Sequence, residues 1–79
     1  MTLDFVKQHF DTWLKYAKTP NNGFQAEYCY SVSYGMANMA ADIAWEQGDK
    51  KLSEEITELW DNNYRDLFLS ALREELARQ

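Results

Sequence analysis

Of the side chains that could act as nucleophile, general base or metal ligand, the sequence offers one histidine, His9, one cysteine, Cys29, and a run of carboxylates between residues 42 and 61. A catalytic histidine needs an activated nucleophile or a second ligand within reach. None adjoins His9 in sequence, so it reads as a structural or surface residue. A reactive Cys29 would need an electropositive neighbourhood to hold its thiolate, yet residues 19–48 contain no Lys or Arg. Cys29 therefore reads as a small buried hydrophobe. Asp42, Glu46 and Asp49 fall at i, i+4 and i+7 and could share a helix face. The Glu-x-x-His pair that accompanies such carboxylates in helical metal sites does not occur, nor do the alternating oxygen ligands of a calcium loop. Glycine-rich phosphate loops, Cys-x-x-Cys pairs and Gly-x-Ser-x-Gly elbows are missing as well. The expectation is a non-enzyme without metal or cofactor.

What the carboxylates can do is present charge. Residues 42–61 hold Asp42, Glu46, Asp49, Glu54, Glu55, Glu58 and Asp61 against Lys50 and Lys51, and the stretches on either side are neutral, so this stretch carries the whole net charge of −5. If residues 24–47 and the segment after Gly48 form an antiparallel hairpin, these acids meet in space, with Trp45 at their edge and Tyr30 and Tyr34 on the same side. One reading is a solvated helix start, where carboxylates suit the dipole. The other is a docking surface made of Asp42, Trp45, Glu46, Asp49, Glu54, Glu55, Glu58 and Asp61, in which an aromatic anchor sits beside a carboxylate rim that suits a basic protein partner.

The elements that must position these residues are helical. Val6, Phe10, Trp13 and Ala17 follow at steps of 4, 3 and 4 and predict a helix over 3–17, with Thr2 as N-cap, Asp4 in the first turn, and Lys15 and Lys18 near the end. Lys18-Thr19-Pro20-Asn21-Asn22-Gly23 is a turn. Residues 24–47 predict the central helix, with Cys29, Val32, Met36, Met39 and Ile43 as its innermost stripe. It is apolar over more than half its circumference and so needs cover on two sides. On this placement Met39→Asp is expected to unfold the domain. Ala37, Ala40, Ala41 and Ala44, with Gly35, would allow another backbone to approach, either within the fold or in a symmetry mate. Gly48 is the expected C′ residue and Asp49 the next N-cap. Leu52, Ile56, Trp60, Tyr64, Phe68, Leu72 and Leu76 then recur at every fourth position, a spacing that drifts by about 40° per step on a 3.6-residue helix. One helix over 50–77 that winds or kinks near Asp61-Asn62-Asn63 is preferred to two helices. The fold class is all-α: a compact three-helix, or alternatively four-helix, bundle with a central apolar helix.

At 79 residues the chain is one small domain (residues 1–79) without a disulfide framework. Its three Trp, five Tyr and four Phe exceed what so small a core encloses, so some are expected at an interface, and a homodimer is one way to cover them. The acidic balance disfavours direct nucleic-acid binding. Met1-Thr2-Leu3-Asp4 is no signal peptide, and Glu27, Asn38 and Asp42 interrupt the longest apolar stretch, so neither secretion nor a membrane span is expected, and the location is read as cytoplasmic. In size, acidity and helical style, carried by Trp45-Glu46-Gln47-Gly48-Asp49-Lys50-Lys51-Leu52 and the Glu-rich helix after it, the chain resembles the small accessory proteins of bacteriophages, among them anti-CRISPR inhibitors. That resemblance implies blocking of a nucleic-acid-handling host protein in the host cytoplasm, for instance a CRISPR effector, whose basic channel and arginine readers offer a target. The leading expectation is thus an inhibitor or modulator of a basic partner. A self-associating assembly protein is the alternative, and a regulator with a degenerate DNA-binding bundle is a third reading, disfavoured by the lack of a basic recognition helix.

Overall fold

Three helical segments pack side by side in the computed structural model, which describes residues 1–78. Helix α1 spans Leu3–Lys18 and α2 spans Ala26–Glu46. The last segment is one continuous helical rod made of α3 (Lys50–Leu59), a π-helical turn (Trp60–Tyr64) and α4 (Arg65–Arg78). No strand occurs among the described residues. The bundle measures 45 × 20 × 16 Å with a radius of gyration of 13.2 Å; a globular domain of this length would have about 12 Å, so the shape is a short rod.

Local chemistry sets the helix limits. The Thr2 hydroxyl accepts from the Phe5 N–H at 3.1 Å and starts α1. The chain then turns through Asn21 (φ 61) and Gly23 (φ 91), both in the left-handed region that Asn and Gly tolerate best. The Asn22 amide donates back to the Tyr16 carbonyl while its oxygen accepts from the Phe24 N–H at 2.7 Å. At the far end of α2, Gly48 (φ 83) forms a Schellman closure: its N–H reaches the Trp45 carbonyl at 3.0 Å, and the Asp49 N–H reaches that of Ala44 at 2.9 Å. The Asp49 side chain in turn accepts from the Leu52 N–H at 3.0 Å and opens α3. Two helices are thus joined by three residues with their end groups satisfied.

The core lies where α1, α2 and the third rod converge. Val6, Phe10 and Ala17 of the expected α1 stripe are buried together with Leu14, while Trp13 is only half-buried and Phe5 is exposed. Phe10 is enclosed by Trp60 and Tyr64 with ring centroids 5.5 and 5.1 Å away, and Trp60 meets Phe68 at 5.5 Å. The innermost stripe of α2 differs from the one its spacing suggests. It consists of Ala26, Cys29, Ser33, Ala37, Ala41 and Ala44. Val32 and Met36 are only half-buried, Ile43 is exposed, and Met39 is 66% exposed. The physical reason is crowding. α2 packs against α1, α3 and α4 together, and the ring-rich faces of its neighbours leave room only for small side chains on its inner side. Of the small-residue set, Ala37, Ala41 and Ala44 are therefore used for close packing within the fold, whereas Ala40 is half-buried and Gly35 is exposed with open space beside it. The expectation that Met39→Asp unfolds the domain does not fit a side chain in solvent.

The period of four in the last segment is resolved by the π turn. On an unbroken helix of about 100° per residue, Phe68 would stand about 120° away from Ile56. One extra residue in the turn, with the Arg65 N–H closing on the Trp60 carbonyl, resets the phase. Ile56, Trp60, Tyr64, Phe68 and Ala71 then all face inward. The preference for one helix with a distortion at Asp61-Asn62-Asn63 matches this arrangement.

Candidate functional site

The acidic residues divide into those that hold the fold and those that are free. Asp49 is occupied as the N-cap of α3, and Asp61 faces Arg65 at 3.8 Å one turn on. Asp42, Glu46, Glu54, Glu55 and Glu58 have no ion-pair partner among the described residues. Asp42, Glu46, Glu54 and Glu58 are exposed, and Glu55 is half-buried. Helical phase separates them further. Asp42 and Glu46 stand on the far side of α2 from Ala37, Ala41 and Ala44. Glu54 and Glu58 stand on the far side of α3 from Ile56. They point outward from two helices and do not form one flat face. Glu55 and Glu58 do come together with Leu3, Leu59, Asn62 and Asn63 around a hollow of about 280 Å³.

Trp45 is 51% exposed, with the Lys50 ammonium 5.0 Å from its ring centroid, within cation–π range. It is therefore available as an anchor. Tyr30 and Tyr34 are engaged elsewhere: they stack on each other at 6.2 Å and both pack on Trp60, at 5.8 and 6.1 Å.

A second surface escaped the reading of single helices because it exists only where two of them meet. α1 supplies Phe5, Val6 and His9, α2 supplies Met36, Met39, Ala40 and Ile43, and Met1 closes one end of an apolar groove of about 250 Å³. Separately, exposed Phe24 and Tyr28 pack against Trp13 with ring centroids 5.3 and 5.9 Å away. His9 stands edge-on to Phe5, with centroids 4.6 Å apart, so the chain's one imidazole is part of this wall.

Two part-buried polar links join distant stretches of the chain. The Tyr64 hydroxyl donates to Asp11, whose other oxygen accepts from Lys7 at 2.9 Å. The Tyr64 bond, and then Lys7, hold the Asp11 carboxyl below its ordinary range despite some burial. Burial first, and then the bond to Asp11, push the Tyr64 phenol up. At the other end the Glu75 carboxylate accepts from the Ala26 N–H at 3.0 Å and caps α2 from α4, because Gln25 offers no side-chain cap. No local pattern announces either link, since the partners lie 53 and 49 residues apart. Cys29 is fully buried, and burial, with Glu75 nearby, raises its thiol pKa, which keeps it protonated and unreactive. Among the described residues no group of three or more His, Cys, Asp or Glu is placed to hold a metal ion, and no helix is long and apolar enough to cross a membrane.

Comparison with profiles of known families, with curated proteins and with solved structures gave no match.

Proposed function

We propose that this protein is a non-enzymatic binding protein that inhibits or modulates a basic protein partner, in the manner implied by its resemblance to phage accessory inhibitors. The observation that carries the reading is the set of carboxylates at Asp42, Glu46, Glu54, Glu55 and Glu58, which have no cation of their own among the described residues, beside an accessible Trp45. Charges left uncompensated at the surface add little to folding. They steer and select a partner of opposite sign. A protein that handles nucleic acid presents such a surface, and carboxylates on these helices would occupy positions meant for phosphates. Asp49 and Asp61 present less free charge to a partner, since Asp49 caps α3 and Asp61 faces Arg65.

The test begins with recovery of the partner by affinity capture and then measures binding kinetics of the variant Glu54→Gln, Glu55→Gln, Glu58→Gln. Gln keeps helix propensity near that of Glu, so the melting temperature should stay within a few degrees. Association at low salt should slow by about tenfold, and its dependence on salt should flatten. An unchanged association rate would return these acids to a solvated helix face. Trp45→Ala should instead speed dissociation.

A further inference from the structure

The apolar groove between α1 and α2 has three features that together define an occupant. Its walls are carbon almost throughout, and Phe5, Met39 and Ile43 stand exposed along it. All three methionines of the chain, Met1, Met36 and Met39, line it. Methionine is unbranched and polarizable, and such side chains recur where one surface must fit the irregular apolar face of a bound helix. Finally, the rim on α2 is acidic. Asp42 lies three residues after Met39, and Glu46 lies three residues after Ile43, so each is the neighbour of a groove residue on the helix surface. Residues 19–48 hold no Lys or Arg. On α1, Lys7 turns away to Asp11 at the Tyr64 side.

We propose that this groove binds a basic amphipathic helix of the partner, whose apolar face seats on Phe5, Met36, Met39 and Ile43 while its Lys or Arg residues meet Asp42 and Glu46. The length fits. The α2 wall of the groove, from Met36 to Ile43, runs for about 10 Å at 1.5 Å per residue, and anchors at i, i+3 or i+4, and i+7 cover about the same distance. Charge decides against a second copy of this chain, because two molecules at −5 each would bring their acidic rims together. The inference rests on the reading of a basic partner and names the element by which that partner is held.

The probe is a fluorescent Leu/Lys peptide of about 18 residues, with Leu at helical spacing. Its controls are the same composition with Leu at alternating positions and an analogue with Glu in place of Lys. The helix-patterned Lys peptide should bind about tenfold or more tighter than either control. It should also shift the ε-methyl NMR signals of Met36 and Met39. The double variant Met39→Ser, Ile43→Ser, whose fold is checked by circular dichroism, should lose about tenfold in affinity. Asp42→Asn with Glu46→Gln should weaken binding at low salt and flatten its salt dependence. The Glu54, Glu55, Glu58 triple Gln variant should stay within about twofold. Static Met36 and Met39 signals at peptide saturation overturn the groove assignment. If binding survives the groove variant but falls with the triple Gln variant, the groove proposal fails and the acidic docking reading stands. Groove-dependent binding that ignores the Lys-to-Glu exchange overturns the basic partner in both. A wild-type dimer dispersed by the groove variant gives the groove to a second copy and ends the proposal.

Discussion

Asp11 is half exposed, yet it joins α1 to the π turn through Tyr64, and its titration should be visible in stability. In the unfolded chain it takes a proton near its ordinary pKa of 3.8; in the fold, the Tyr64 hydroxyl first and Lys7 second hold it lower. Between those two values the unfolded state binds more protons, so stability rises with pH there. The contribution is full above the ordinary value and is lost as pH falls through the folded one. Tyr64 has the opposite sense. Its phenol is raised above 10.0, chiefly by burial, so its contribution holds below that value and is lost as pH rises through the folded one. Tyr64→Phe removes the phenol and the larger of the two causes that hold Asp11 low, and leaves the Lys7 pair in place. We expect a loss of about 1 kcal/mol at neutral pH, kept small because water screens Asp11, or roughly 4–8 °C in melting temperature for a domain of this size. The variant should also show a flatter stability profile at both the acid and alkaline ends. Denaturation in urea at pH 3, 7 and 10.5 checks this, and a variant as acid-sensitive as the wild type would deny the pair any weight. At the same scale Met39→Asp, at a side chain 66% exposed, should melt within about 1 kcal/mol of the wild type.

At the scale of elements the π turn carries the clearest consequence. Deleting Asn62 removes the extra residue. The helix can then continue as a regular α-helix, with Ile56, Trp60 and the residues now numbered Tyr64, Phe68 and Ala71 all within about 40° of one direction. We expect the deletion variant to fold with its core intact and full helicity by circular dichroism. Inserting an alanine after Asn62 should instead rotate α4 by about 100°, expose Phe68 and lose the cooperative melt. If the deletion unfolds the chain, the π turn is doing more than resetting phase. The α2 start depends on α4 in another way. Glu75→Ala removes the acceptor for the Ala26 N–H and should cost about 1 kcal/mol, whereas Glu74→Ala, at an exposed position one residue earlier, should cost little. Equal melting temperatures for the two would show that water replaces the cap without loss.

On the scale of the whole molecule, a rod of 45 × 20 × 16 Å exposes its unpaired acids on outward faces of α2 and α3 and a methionine-lined groove between α1 and α2. The two surfaces adjoin at Asp42 and Glu46. Under the proposal above, one basic partner would use both, with apolar contact in the groove and charge along its edge. The charge balance leads us to expect a monomer of 9.3 kDa at low ionic strength in light scattering coupled to size exclusion. A dimer there would favour the assembly alternative, and its dependence on Met39 or on Trp45 would say which surface forms it.

The sequence alone determined what short-range chemistry determines. Thr2 and Asp49 as caps, Gly48 as the helix stop, the Asn-Asn-Gly turn and most of the face of α1, Trp13 excepted, follow from residue type and nearest neighbours, because a cap or a left-handed turn involves only a few consecutive residues. The fourfold spacing from Leu52 to Leu76 left a choice between a helix that winds round its neighbours, one that kinks near Asp61-Asn62-Asn63, and two helices; the structure places a π turn there and continues the inner face with Ala71 rather than Leu72 and Leu76. Tertiary structure decided which arc of α2 lies inside. The helix is apolar around most of its surface, so hydrophobicity could not choose between the Met36–Met39–Ile43 arc and the Ala37–Ala41–Ala44 arc. The bulk of Phe10, Trp60 and Phe68 opposite made the choice for the small residues. That choice placed the methionines at the surface, and the groove they line followed from it. The acids behaved in the same way. Their charge, and the use of Asp49 as a cap, were legible residue by residue, but only the packing of α2 on α3 fixed in which directions the free carboxylates point.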